Sequence, residues 1–108
     1  MYDMKNLTRL KTIGELAPEA MKTFWAFDKA ATASGAIPAK YKELMAIAVA
    51  LTTQCPYCIE VHVKAAKAAG ATREEITESS LIAAALRAGG AATHGAMALK
   101  FYDQLLKP

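Results

Sequence analysis

The stretch Thr52-Thr53-Gln54-Cys55-Pro56-Tyr57-Cys58-Ile59-Glu60-Val61-His62 holds both cysteines of the chain and one of its two histidines. Three readings compete for it: a dithiol with its own base, three ligands of a metal site, or a helix start where two small sulfur residues pack. Pro56 orders them, because proline suits a first helical turn, where its missing N–H costs nothing. Cys55 is then the N-cap and Cys58 the third helical residue, among unpaired N–H groups and at the positive end of the helix dipole. That environment stabilises a thiolate: a free thiol has a pKa of about 8.5, and helix N-termini with cationic neighbours bring it to roughly 3.5 to 7.5. His62 follows Cys58 by four residues, so its imidazole lies on the same face and can accept or relay a proton. The two sulfurs can close a disulfide across a single turn.

Working outward, prolines and glycines punctuate a series of helices. Pro18 opens "EAMKTFWAFDKAATAS", which runs to Gly35. Pro38 opens "AKYKELMAIAVALTTQ", with Leu44, Ile47, Ala48 and Leu51 on one face. Pro56 opens a third helix that ends near Gly70, and Thr72 with Glu75 forms a capping-box pattern leading into "ITESSLIAAALRA". That helix is expected to stop at Gly89 and Gly90, and a last one carries "ATHGAMALKFYDQLLK" through Gly95. Residues 1–14, with Leu7, Leu10 and Ile13, read as a short helix or as an arm reaching a neighbouring subunit. No segment alternates with period two, so the expected fold is all-α, a single domain over 1–108 of about five to six helices.

The letters Cys-Pro-Tyr-Cys also occur in glutaredoxin-type thiol transferases, but there a strand precedes the motif and a cis-proline follows it far downstream. Here the preceding segment reads as helix, and after Pro56 the sole proline is Pro108. Composition bounds the rest. A mean hydropathy of +0.15 is high for a chain of 108 residues and calls for a self-association face. The formal charge of +3 comes from lysines spread along the chain, which argues against nucleic acid as a partner. Neither an apolar run long enough to span a membrane nor a leader pattern stands in the sequence, so the expected location is the cytoplasm, with no membrane partner.

A longer pattern joins Glu43, Cys55, Cys58 and His62 in "ELMAIAVALTTQCPYCIEVH". It resembles the carboxymuconolactone decarboxylase superfamily and, within it, the alkyl hydroperoxidase D-like branch, over about residues 38–90 and including the continuation "AGATREEI". The resemblance implies an all-helical subunit of a homotrimer or homohexamer that reduces a small peroxide. Cys58 matches the peroxidatic cysteine, Cys55 the resolving partner, and His62 with Glu43 the proton relay. Tyr57 stands where peroxidase members of the branch carry a second histidine, and lining substrate access or a surface or interface contact are equally open to it. The decarboxylase branch lacks the cysteine pair and relies on histidine.

No flavin or nicotinamide motif is present, so no cofactor is expected and the electrons come from an external thiol or protein reductant. Zinc bound by Cys55, Cys58, His62 and Glu43 is the competing chemistry. Structural zinc usually draws its ligands from two separate knuckles rather than one helix start, so no metal is expected. A non-catalytic binding or redox-sensing protein of the same fold is the alternative from another class. Glu43 carries a geometric demand. On a straight helix it starts some 16–18 Å from Cys55 at about 1.5 Å per residue. Helix crossing, a bend or a neighbouring subunit must therefore bring it to His62. Glu60 projects to solvent or to an intersubunit ion pair, and His94 reads as structural. Phe24, Trp25 and Phe27 read as core or subunit contact, and Met45 and Met97 as core filling.

Overall fold

Helix ends set by local chemistry organise the chain. The computed structural model describes residues 2–105. A 3₁₀ helix, Met4–Arg9, is followed by α1 (Leu10–Leu16), α2 (Pro18–Thr32), α3 (Ala39–Thr53), α4 (Pro56–Ala68) and α5 (Arg73–Leu105), with no strand among the described residues. The fold is all-α, as expected. Asp3 caps the opening 3₁₀ helix by accepting the Lys5 N–H at 2.9 Å. Ala17, with φ −137°, breaks α1 from α2, and Pro18 takes the first position of the new helix.

The C-terminal carbonyls of α2 are satisfied by a cation. Lys42 Nζ donates to Ala31 O at 3.0 Å and to Ala33 O at 2.6 Å, which also suits the negative end of the α2 dipole. Pro38 stands just outside α3, where its carbonyl accepts the Tyr41 and Lys42 N–H groups. Thr72 and Glu75 form the reciprocal capping box at the head of α5. The Glu75 N–H donates to Thr72 Oγ1 at 3.1 Å, and the Thr72 N–H to Glu75 Oε1 at 2.9 Å.

One expected boundary is absent. α5 continues through Gly89 and Gly90 to Leu105 instead of stopping there. Glycine lowers helix stability by about 1 kcal/mol but retains its N–H, so the hydrogen-bond ladder is not interrupted as it would be by proline. Side chains one turn later also cover the exposed carbonyls. Thr93 Oγ1 donates to Gly89 O at 3.0 Å, and His94 Nδ1–H donates to Gly90 O at 2.8 Å, giving His94 a structural partner.

α3 is the central element, packed against both α4 and α5. Ile47 and Ala50 of α3, Ala66 of α4 and Ala83 of α5 are buried, while Leu44, Ala48 and Leu51 are half-buried. Alanine at three of these four positions lets the helix backbones approach closely. Polar bonds fix the α3–α5 register: Ser79 Oγ donates to Leu44 O at 2.7 Å, and Arg87 Nη1 to Thr52 O at 2.6 Å. Lys40 Nζ lies 2.9 Å from Glu75 Oε2. That ammonium, with the Thr72 N–H, holds the Glu75 carboxyl below the usual carboxylate range, and Glu75 in turn raises Lys40.

The described surface is strongly apolar. Phe24, Trp25 and Phe27 are exposed, and so are Met45 and Met97, which correct the expectation that these methionines fill a core. The radius of gyration is 18.9 Å, against about 13 Å for a compact chain of this length.

The reversal between α3 and α4 is made by Gln54, whose φ of 57° and ψ of 49° are left-handed. The Gln54 and Cys55 N–H groups both reach back to the Ala50 carbonyl, which closes α3. A non-glycine residue in this region carries roughly 1–2 kcal/mol of steric cost. Gln54→Gly is therefore expected to stabilise the fold by up to about 1 kcal/mol, a rise of roughly 4–8 °C in melting temperature. A melt lower than that of the parent chain would mean that the Gln54 side chain makes a compensating contact.

Candidate active site

The site is built on the α3–α4 hairpin. Cys55 is the N-cap of α4 in an extended conformation, and its sulfur accepts the Cys58 N–H at 3.3 Å. The two sulfurs are joined as a disulfide, with the Cα atoms 5.3 Å apart. From the sequence, the first-turn N–H groups are expected to favour Cys58. The structure gives this one to Cys55, because an N-cap side chain folds back over the helix start while that of the third residue points away from it. Both cysteines are half-buried.

His62 and Glu43 meet within one chain. His62 Nδ1 lies 2.6 Å from Glu43 Oε2, with the side chains 23% and 14% exposed, so the bond is shielded while the imidazole remains reachable. The tight turn at Gln54 lays α4 back along α3, and this crossing meets the demand posed by the distance from Glu43 to Cys55. An ionised carboxylate can only accept, so Nδ1 carries the hydrogen. Nε2 is then the free basic nitrogen, and the bond that fixes it is a strong charge-assisted one.

Cys58 and His62 line a common cavity of ≈ 430 Å³. Ala46, Val49 and Ala50 of α3 supply its apolar wall, and Asp28 and Ala31 of α2 close the opposite side. The structure thus brings Cys58, His62 and Glu43 into one neighbourhood, with Cys55 bonded to Cys58 from behind. Tyr57 does not line that cavity. Its hydroxyl accepts from Asn6 Nδ2 at 2.8 Å and from the Asp3 N–H at 3.4 Å, and its ring packs edge-on to Tyr2 with centroids 4.8 Å apart. Tyr57 therefore holds the N-terminal segment against α4. Glu60 is half-buried, accepting from the Tyr2 hydroxyl at 3.4 Å and lying 3.7 Å from Lys64 Nζ.

Among the described residues no three acidic, histidine or cysteine side chains are gathered as a metal site. The sulfurs are bonded to each other, and Glu43 is turned to the imidazole. Asp28 is the lining residue that sequence reading passed over. Its spacing with Ala31 and Thr32 marks one face of α2, but nothing local says that this face lines a cavity with Cys58.

The all-helical fold has known counterparts. The sequence profile of the carboxymuconolactone decarboxylase family matches residues 18–101, and the chain belongs to that family. A crystal structure of the apo form of a carboxymuconolactone decarboxylase family protein from Legionella pneumophila is 35% identical, superposes with a TM-score of 0.73, and is covered over 92% of its length by 95% of this chain. A protein from Methanobacterium thermoautotrophicum is 30% identical with a TM-score of 0.72, over 77% of this chain and 93% of its own. The uncharacterized protein 4 in the cox locus of Paracoccus denitrificans is 48% identical over 82 residues, 76% of this chain and 74% of its own. Among the described residues no helix is long and apolar enough to cross a membrane.

The Glu43–His62 bond is a stability element as well as a chemical one. Glu43→Ala removes the acceptor from a shielded imidazole and is expected to cost roughly 1–3 kcal/mol. Glu43→Gln, which keeps an acceptor oxygen, is expected to cost less. Urea unfolding of the three proteins reads the difference, and equal midpoints would show that the imidazole finds another partner.

Proposed function

We propose that the chain is a thiol-dependent peroxidase or dithiol oxidoreductase of the alkyl hydroperoxidase D-like type. One observation carries this reading: Cys58, already paired with Cys55, shares a cavity with an imidazole whose other nitrogen is held by a carboxylate. In the reduced protein the His62 Nε2 accepts the Cys58 proton, and the thiolate attacks an oxygen of the hydroperoxide. The O–O bond breaks, sulfur keeps one oxygen as a sulfenic acid, and the departing alkoxide takes the proton back from His62 to leave as the alcohol. The Cys55 thiol then attacks the sulfenic sulfur, closing the disulfide and releasing water. An external dithiol restores both thiols and is itself oxidised to a disulfide. A supply of reduced thiols is characteristic of the cytoplasm, which is the location proposed here.

The roles divide between the sulfurs. Cys58 is the attacking sulfur because it faces the cavity, and Cys55, which does not line it, is the resolving one. The Cα separation of 5.3 Å lies within the range that a disulfide needs, so the cycle requires no backbone displacement.

Self-association is part of the same proposal. The exposed Phe24, Trp25 and Phe27 of α2, and Leu99, Phe101 and Tyr102 of α5, form more apolar surface than a monomer ordinarily leaves in water. A homotrimer or homohexamer buries it. Sedimentation equilibrium is expected to return three or six times the 11.5 kDa chain mass, and a strictly monomeric species would reject the assembly.

The reaction is tested under single turnover. Reduced protein freed of reductant is expected to consume one equivalent of a small alkyl hydroperoxide with loss of both thiols. Cys58→Ser abolishes consumption, whereas Cys55→Ser still consumes peroxide and accumulates a sulfenic acid that dimedone traps. Peroxide left intact, with both thiols still reduced, would instead identify a binding or redox-sensing protein.

A further inference from the structure

The cavity at Cys58 carries a charge that its chemistry does not require. Asp28 is half-buried on its wall, on the α2 side facing the cysteine-bearing helix. Asp28 makes no ion pair with any described residue. Lys42, which reaches this end of α2, is engaged with the Ala31 and Ala33 carbonyls, and Lys29 of the last α2 turn is exposed and does not line the cavity. His62 cannot compensate Asp28 either, because its Nδ1 is committed to Glu43: the pair is neutral when the imidazole is protonated and negative when it is not. The remaining wall is mostly alanine, valine and threonine, which bring no charge to neutralise a carboxylate, and Ala31, Val49 and Thr53 on it are exposed, so the effective dielectric constant is intermediate between protein and water.

We infer that Asp28 is a specificity residue that makes the Cys58 cavity selective for small uncharged or cationic electrophiles, neutral alkyl hydroperoxides above all, and against carboxylate-bearing ones such as fatty-acid hydroperoxides and peroxyacids. The inference rests on Cys58 being the attacking sulfur. A volume of ≈ 430 Å³ corresponds to about 9 Å across if roughly spherical. Across such a span, at an effective dielectric constant of about 20–40, one carboxylate disfavours an anionic reagent roughly five- to twentyfold.

Charge selectivity can be read without any peroxide. The reduced full-length chain is alkylated with iodoacetamide, which is neutral, or iodoacetate, which is anionic, and peptide mass spectrometry follows the rate at Cys58. Using the ratio of the two rates cancels any effect of Asp28 on how readily the thiol ionises. The iodoacetamide-to-iodoacetate ratio at Cys58 is expected to exceed that of glutathione by roughly five- to twentyfold. It should fall most of the way to the glutathione value in Asp28→Asn and drop below it in Asp28→Lys.

Raising salt from about 0.01 M to about 1 M is expected to shrink the wild-type ratio as well, which tests the charge without any substitution. A wild-type ratio equal to that of glutathione, or one unmoved by salt and by Asp28→Asn, overturns the assignment. A selective cavity in a protein that leaves peroxide untouched would retain Asp28 as the selector and reject the peroxidase reaction alone.

Discussion

The fold and the site both depend on the reversal of the chain at Gln54. A left-handed residue directly after α3 lets the Cys55 N–H return to Ala50 and sends α4 back along the helix it has just left. Because of that reversal, a glutamate near the start of α3 meets a histidine well inside α4. The same turn makes Cys55 an N-cap, so one backbone event positions the disulfide, the helix N-terminus and the imidazole–carboxylate pair.

The division of labour proposed for the sulfurs is consistent with elementary helix geometry. An N-cap side chain is folded over the helix start and becomes an acceptor for the third-residue N–H, which is how Cys55 is held. Cys58 points outward from the first turn into a space that α2 closes from the other side. The sulfur that accepts the backbone hydrogen bond is therefore not the one that lines the cavity. The helix-start hydrogen bond and the cavity-facing position fall to two residues that the disulfide joins.

Much of this was legible in the residues. Pro18, Pro38 and Pro56 mark helix starts because proline has no N–H to lose there, and Thr72 with Glu75 announces α5 by a pairing that needs four residues and no tertiary context. The continuity of α5 was not legible. Two successive glycines resemble a stop, and the Thr93 and His94 bonds that cover their carbonyls become visible only when the helix is already there. Nor was the left-handed Gln54, since glutamine has no special preference for that conformation. Asp28 was hidden for a different reason: α2 makes few contacts with α3, and the cavity it shares with Cys58 is a matter of tertiary placement alone. The exposure of Met45 and Met97 shows the same limit, because a residue type suited to burial does not say which face of its helix meets the rest of the chain.

α5 joins two environments in one continuous helix. From Ala83 to Arg87 it is held by α3, whereas 88–105 is solvent-facing apart from half-buried Gly90. Its inner turns can lose their hydrogen bonds only when the α3 interface comes apart, but its outer turns rest within this chain on local helix propensity, which is marginal in water for a segment of that length. The protection of backbone amides against exchange therefore grades along a single rod, from near the global value of the fold to near that of a free peptide. That gradient makes the distal half of α5 the part of the chain whose thermodynamics its surroundings can most readily rewrite.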